Sequence, residues 1–455
     1  MQRTQWFSYL RHDWPAGAGL LLLLVGVLLV MRLVMPLVSL PPDFSLDFDH
    51  QMNAGRAIAR GEDPYAYKTW TLDIISVGYA YPPLMAWALV PLVTALPLRY
   101  PYLVWVIGEM AAFAASVLMA LRSGTRPVRW PWVLLVLGAA FLPFVTRDNL
   151  FHGQVDFVLL LLVTGGLVLL SRDRPVAAGI ALAAAANVKP FLAILLVYLA
   201  WRCRWRAFFA MGFGGAAILV LSFLPTLSHG TQVVEAWLGV AGEMGRPPFI
   251  GFPYNHSLYG TIVRLFTPTP FAVAWADSRP LYLALSLLDA LVPVAAWLTF
   301  VPPGRPRRQN EPLMIFIEAG LLLTLIFACG PVAEANHLLV LAPAIIAVMR
   351  LALTSSDPLR RRRWRVAAIA WAVFLVLTAG PLRWTTLTDP LHGVPSGISV
   401  LFTGRVGMLL LICSIVMAWS VYREHAVSNP HLSLRGTLRA GRTPTVQPAP
   451  AVTPG

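Results

Sequence analysis

Long apolar runs recur along this chain, and they constrain its fold more than any other feature. Ala16–Leu40 is the first, with Arg32 as its one charge. A bilayer core about 30 Å thick asks for about 20 apolar residues per helix, so this run is long enough to cross. It is too long for the apolar region of a signal peptide and no small-x-small cleavage site follows, so it reads as an uncleaved first span. The composition agrees: 57% of residues are hydrophobic and 12% charged, against about 25% charged in a typical soluble domain.

The net charge of +14 would suggest a nucleic-acid partner in a soluble protein. Here the basic residues sit in short loops between apolar runs, which is the positive-inside pattern of a multi-pass membrane protein. Five such loops, Arg122–Arg129, Arg172 with Arg174, Arg202–Arg206, Arg305–Arg308 and Arg360–Arg365, are expected in the cytoplasm. About twelve spans follow, near 16–40, 101–121, 131–147, 155–171, 176–188, 190–201, 207–224, 281–302, 313–330, 337–354, 366–382 and 398–421. The fifth and sixth are short and are split by Asn187-Val188-Lys189-Pro190, where Pro ends one helix and starts the next. Residues 82–98 carry Pro82, Pro83, Pro91 and Pro97 and would invert every later basic loop if they crossed. They are expected to form a re-entrant or interfacial helix on the outer side.

This topology turns 41–80, 225–256 and 383–397 outward. The fold expected is an all-α polytopic membrane bundle over residues 1–427. The Pro-, Thr- and Arg-rich stretch 428–455 is expected to be a disordered cytoplasmic tail. The cysteines Cys203, Cys329 and Cys413 show no metal-binding or pairing spacing.

The first outer segment gathers acid: Asp43, Asp47, Asp49, Glu62, Asp63 and Asp73. Phe48–Arg60 has helical character, with Gly61 placed as a C′ stop. Asp47 stands where an N-cap belongs; alternatively it is a general base held above the bilayer at the height of a lipid headgroup, with Asp49 as its rival. Four more polar clusters face outward: Arg147–Gln154, Lys189, Asn255–Gly260 with Arg264, and Glu334–His337. Ionisable groups at such depths are costly and commonly functional. A cationic set of Lys189, Arg264 and His337 beside an acid suits an anionic ligand such as a phosphate. Snorkelling to the interface is the plainer account of Lys189 and Arg264 taken singly.

DFDHQMNAGRAIARGEDPY with the following Tyr81-Pro82-Pro83, then GQVDFVLLLL, AAGIALAAAANVKPFLAILL, NHSLYGTIVRLF and GPVAEANHLLVLAP, in that order over roughly residues 41–345, resemble the membrane glycosyltransferases of family 87. The resemblance implies a GT-C type helical bundle. It also implies a hexosyltransferase that uses a polyprenyl-phosphate-linked sugar, mannose in the first instance, and acts on a lipid or glycan hydroxyl at the outer face of the cell membrane. It places the family's catalytic carboxylate on Asp47, fourteen residues before Gly61 of the element Gly61, Pro64, Tyr65; Asp49 remains the alternative base. Asp156 stands where family members often carry Asn. Lys189, Arg264, His337, Asn255, His256, Gln154, Asp148 and Tyr81 are the expected donor-phosphate and substrate contacts.

No cofactor is expected. A phosphate monoester-type leaving group needs no divalent metal in principle, although Asp47-Phe48-Asp49 has the Asp-x-Asp spacing literally. One base without a second nucleophilic carboxylate points to inversion, by analogy with glycosidases. A transporter or flippase of a lipid-linked sugar is the alternative; it would want internal repeats, and none is convincing here.

Overall fold

The computed structural model describes residues 14–39, 47–66, 68–72, 75–97, 100–124, 128–224, 226, 230–252, 255–304, 312–331, 333–334, 336–378, 400–401 and 405–428. The tail 428–455 beyond Ser428, the outer segment 383–397, Asp43, Asp73 and the Arg305–Arg308 loop lie outside the described residues.

The apolar runs fold as helices: α1 (Trp14–Ser39), α2 (Asp47–Ala59), α3 (Pro83–Ala95), α4 (Tyr100–Arg122), α5 (Trp130–Ala140), α6 (Phe144–His152), α7 (Asp156–Ser171) and α8 (Pro175–Val188). A 3-10 turn, Pro190–Ile194, leads into α9 (Leu195–Trp201), followed by α10 (Trp205–Phe223), α11 (Gln232–Met244), α12 (Pro247–Ile250), α13 (Leu258–Phe266), α14 (Arg279–Phe300) and α15 (Pro312–Cys329). A second 3-10 turn, Asn336–Leu341, precedes α16 (Ala342–Thr354), α17 (Pro358–Leu377) and α18 (Arg405–Ser428). Strands β1 (Lys68–Leu72) and β2 (Ile75–Gly78) form an antiparallel hairpin with Leu72 opposite Ile75. The sequence reading did not anticipate this hairpin within the first outer segment.

Among the described residues seven helices are long and apolar enough to cross a membrane, or eight if α5 and α6, bent by 62° at their break, form one span. The twelve crossings expected are therefore not all full-length. The helices at 155–171, 176–188 and 190–201 are short apolar helices, and α17, starting at Pro358, contains the whole Arg360–Arg365 run. The physical reason is burial. Phe157, Leu159, Leu160, Val163, Ala178, Leu182, Leu192 and Leu195 are sealed in the protein core, and a buried helix is apolar all round without having to meet lipid. Pro83–Ala95, at 13 residues, would rise about 20 Å, too short for a crossing, as expected of 82–98.

The helices give the bundle two ends. Arg350 near the end of α16 donates to the Leu121 carbonyl near the end of α4 at 2.6 Å. Trp201 at the end of α9 donates to the Val301 carbonyl just past α14 at 2.6 Å. The opposite end holds the starts of α2, α3 and α7, the α8–Pro190 junction and the turn before α16. Arg122 ends α4, Arg172 and Arg174 lie between α7 and α8, Arg202 and Arg204 lie between α9 and α10, and Arg360–Arg365 lie near the start of α17.

Candidate active site

α2 carries Asp47 and Asp49 in its first turn, where acid complements the helix dipole. It stops as its sequence predicts: Gly61 takes φ +72°, while Gly61 N–H bonds Ile58 O at 3.0 Å and Glu62 N–H bonds Ala57 O at 2.8 Å, the paired bonds of a Schellman cap. Phe48 anchors the helix against Tyr102 and Trp105 of α4, with ring centroids 5.1 and 6.1 Å apart. The same two aromatics hold the end of α6, Tyr102 Oη to the Leu150 carbonyl at 2.8 Å and Trp105 Nε1 to the Gly153 carbonyl at 3.0 Å. Gly153 ends α6 at φ +62°, and a Cβ there would meet Phe48 Cβ at 2.6 Å. Glycine is thus required twice over, by conformation and by contact.

That packing sets Asp47 against the α6–α7 junction. Gln154 Nε2 donates to Asp47 Oδ2 at 2.5 Å, and Tyr81 Oη donates to Gln154 Oε1 at 3.3 Å. His152 Nδ1 stands 3.8 Å from the same Oδ2, and its Nε2 lies 3.5 Å from Asp148 Oδ1. One carboxylate oxygen is therefore held, while no hydrogen bond from the described residues reaches Oδ1 of this half-exposed side chain. Burial, followed by the charges of Asp156, Asp47 and Glu334, pushes the Tyr81 hydroxyl well above its ordinary value, so it stays a donor to Gln154. Burial likewise lowers the His50 imidazole, with Asp47 opposing.

Lys189 shows why Pro190 matters. A residue before proline is pushed to extended backbone, and Lys189 takes φ −124°, ψ 106°. The side chain leaves the helical register and enters the core, where Nζ bonds Asp156 Oδ1 and Oδ2 at 2.9 and 2.8 Å. Both side chains are buried, so each charge requires the other. His337 stacks between Phe191 and Phe327, with ring centroids 5.2 and 6.2 Å away. Glu334 sits in the preceding loop with Asn336 Nδ2 at 3.5 Å. Burial, then Asp47, and then Asp156 raise the Glu334 carboxyl, against Lys189 and Asn336, to about 7.

Three of the four polar clusters thus converge on Asp47. The fourth lies behind them. Asn255 Nδ2 donates to the Pro331 carbonyl at 2.7 Å, and its Oδ1 accepts from Ala333 N–H at 3.0 Å, while His256 N–H bonds the Ala333 carbonyl at 2.9 Å. These bonds fix the loop that carries Glu334. Arg264, buried in α13, donates to the carbonyls of Phe252 and Asn255, each at 3.1 Å, and to Thr261; burial lowers its guanidinium to about 10. The expected cationic trio is therefore not one cluster. Lys189 spends its charge on Asp156, and Arg264 braces a loop. Sequence gives the depth of a cation but not the partner that burial forces on it.

The two rival acids have different company. Asp47 is felt at Tyr81, Glu334, His50 and His152. Asp49 is felt at Arg56 and Tyr102, away from that cluster. Among the described residues no three His, Cys, Asp or Glu side chains are arranged to hold a metal ion.

Sequence reasoning placed His152 and Glu334 in polar clusters without giving either a role, and it did not single out Gln51. Gln51 lies one helical turn after Asp47 on the same face of α2. It is buried, and neither amide atom has a partner among the described residues. Its i, i+4 spacing from Asp47 was the available signal.

No curated protein matches the chain. Among solved structures, ArnT from Cupriavidus metallidurans in the apo state aligns at 13% identity and a TM-score of 0.33, over 85% of this chain and 74% of that one; so loose a likeness carries no argument. The model of glycosyltransferase family 87 matches residues 79–331, more than half of the chain. That span includes Tyr81, Asp148, Gln154, Lys189, Asn255, His256 and Arg264, and stops short of Asp47 and His337. The chain belongs to glycosyltransferase family 87.

Proposed function

We propose that this membrane glycosyltransferase moves a hexose, mannose in the first instance, from a polyprenyl-phosphate donor to a hydroxyl of a lipid or glycan acceptor, with inversion, at the outer face of the cell membrane. The observation that carries the reading is Asp47, with Oδ2 fixed by Gln154 and Oδ1 open. The acceptor oxygen attacks the anomeric carbon, the bond from that carbon to the phosphate oxygen breaks, and the polyprenyl phosphate leaves. The acceptor proton passes to Asp47, a contribution typically worth about 10²–10⁴-fold.

The third N–H of Lys189, with His337 beside it, faces the leaving phosphate in this reading, and positive charge fixed in advance suits a departing anion. Gln51 and Asp148 offer hydrogen bonds to sugar hydroxyls. Arg264, Asn255 and His256 are positioning residues that hold the Glu334 loop. No divalent metal takes part in any of these steps.

Membranes bearing Asp47→Asn, given radiolabelled polyprenyl-phosphate-mannose and extracted lipids, should keep the protein and lose transfer. Retained transfer overturns the assignment. The outer placement is tested separately in a Cys203→Ser background. A cysteine at the exposed Thr231 should react with a membrane-impermeant maleimide in intact cells and one at the exposed Ser356 should not; the reverse pattern puts the site inside.

A further inference from the structure

α14 presents two unlike faces. It is a lipid-facing helix, with 11% of its span buried inside the protein, and Leu283, Leu287, Leu288, Leu291 and Val292 are exposed. The inward face is read every three or four residues: Tyr282, Ser286, Asp289, Pro293, Trp297. Its second half is closed by Pro293 and Trp297, both buried. Its first half is polar. Tyr282 Oη lies 2.9 Å from Tyr259 Oη of α13, and Tyr259 lies against Ser286. Asp289 meets the Cys329 thiol at the end of α15.

This face has spare hydrogen-bonding capacity. Asp289 Oδ2 is a buried atom without a partner among the described residues. Pro293 has no N–H, so the Asp289 carbonyl four residues earlier also lacks its helical donor. A carboxylate and a bare carbonyl inside an apolar span are costly, and such groups are usually retained for function. No cation among the described residues pairs with Asp289. The face leads to the candidate active site: Cys329 is five residues before Glu334, and Tyr259 stands in the first turn of α13, just after the Asn255–His256 clamp.

We infer that Tyr259, Tyr282, Ser286 and Asp289 form a lateral binding strip for the neutral, hydroxyl-bearing headgroup of a lipid moving from the bilayer into the site. A phosphate headgroup would meet an acid with no cation and would be disfavoured. In the transfer reaction proposed above, on which only this purpose rests, the occupant is the acceptor rather than the donor.

The test uses the full chain in phosphatidylcholine vesicles with two photoreactive probes, an alkyl β-glucoside and an alkyl phosphate that carry the same diazirine chain. The glucoside should label peptides containing Tyr259 and Tyr282–Asp289. Labelling should fall about tenfold in Asp289→Leu, the scale of one hydrogen bond to a charged group. Tyr282→Phe should also weaken it, and Asp289→Asn should preserve most of it. The phosphate probe should not label these peptides. Equal labelling by both probes, or labelling unchanged in both Asp289→Leu and Tyr282→Phe, overturns the inference. If Asp289→Leu fails to accumulate, Tyr282→Phe and the probe comparison decide. None of these readouts requires turnover, so a failure of the transferase reading would show only in the Asp47→Asn assay.

Discussion

The two ends of the bundle handle buried charge in opposite ways. At the arginine end Glu318 and Glu424 each meet two basic side chains. Glu318 of α15 meets Arg202 Nε at 3.1 Å and His425 Nε2 at 2.9 Å. Glu424 meets Arg360 Nε at 2.8 Å and Arg363 Nη2 at 4.0 Å. Neighbouring bonds tie these groups further into the frame: Trp297 Nε1 donates to the Glu318 carbonyl at 3.1 Å, and Arg202 also donates to the Pro302 carbonyl. At the other end Asp47, Asp156 and Glu334 share Lys189, and both of its bonds go to Asp156. A cluster in which each acid is held between basic side chains of other helices locks those helices together. An acid-rich, cation-poor cluster keeps its charge available, at a cost in stability, and that cost is the usual mark of a reactive site.

The comparison would break most visibly at Asp47. Asp47→Asn should reduce transfer by about 10²–10⁴-fold with unchanged protein abundance, since Asn caps a helix about as well as Asp. Glu318→Gln, scaled to the amount of folded protein, should leave transfer near wild type. If the two variants lose activity alike, the division between a reactive and a structural end is wrong. Asp49→Asn is the local control, because its charge is felt by Arg56 and Tyr102 rather than by the cluster. It should have the smaller effect; the opposite ranking moves the base by two residues.

Next in size is the cost of breaking a buried pair. Lys189→Met strands Asp156, and Arg202→Met leaves Glu318 with His425 alone. Removing one partner of a buried pair typically costs about 3–5 kcal/mol. Thermal unfolding in detergent should show the larger loss for Lys189→Met, because Glu318 keeps its bond to His425 whereas both bonds to the Asp156 carboxylate come from Lys189. Adding Asp156→Asn to Lys189→Met should restore much of the stability but not the transfer. Recovery of both would mean that the Lys189 charge is structural only.

Much of this division is legible in the sequence, and the illegible part has physical causes. Arginine runs marked one end because long basic side chains cannot be left in hydrocarbon. Asn187-Val188-Lys189-Pro190 marked a helix break because proline restricts the residue before it. Gly61 marked the end of α2 by capping chemistry, and the acids Asp47 and Asp49 marked its first turn. Hydropathy could not separate α7, whose apolar side chains are largely buried in protein, from helices bathed in lipid, because both environments select the same residues. Nor could it pair Lys189 with Asp156, which are 33 positions apart, or tell Arg264 on carbonyls from Arg264 on phosphate. The β1–β2 hairpin was hidden in a segment read for its acids.

The smallest expected effect is a dependence on pH, and it tests whether the acids at the reactive end truly share one field. Burial and the charge of Asp47 lift the Glu334 carboxyl from 4.5 to about 7. Below pH 4.5 it is protonated in folded and unfolded chains alike. Between 4.5 and 7 the folded protein retains a proton that the unfolded chain has released, so stability falls as pH rises through this window and levels off above it. Melting temperatures in detergent from pH 5 to 8 should show that decline in wild type. Glu334→Gln should make it shallower, since the proton held on Glu334 is gone. Asp47→Asn should shift it to lower pH, because one of the negative neighbours that holds the proton on Glu334 is gone. A decline unchanged in Asp47→Asn would mean that the two carboxyls do not feel each other, and the contrast with the arginine end would then rest on Lys189 and Asp156 alone.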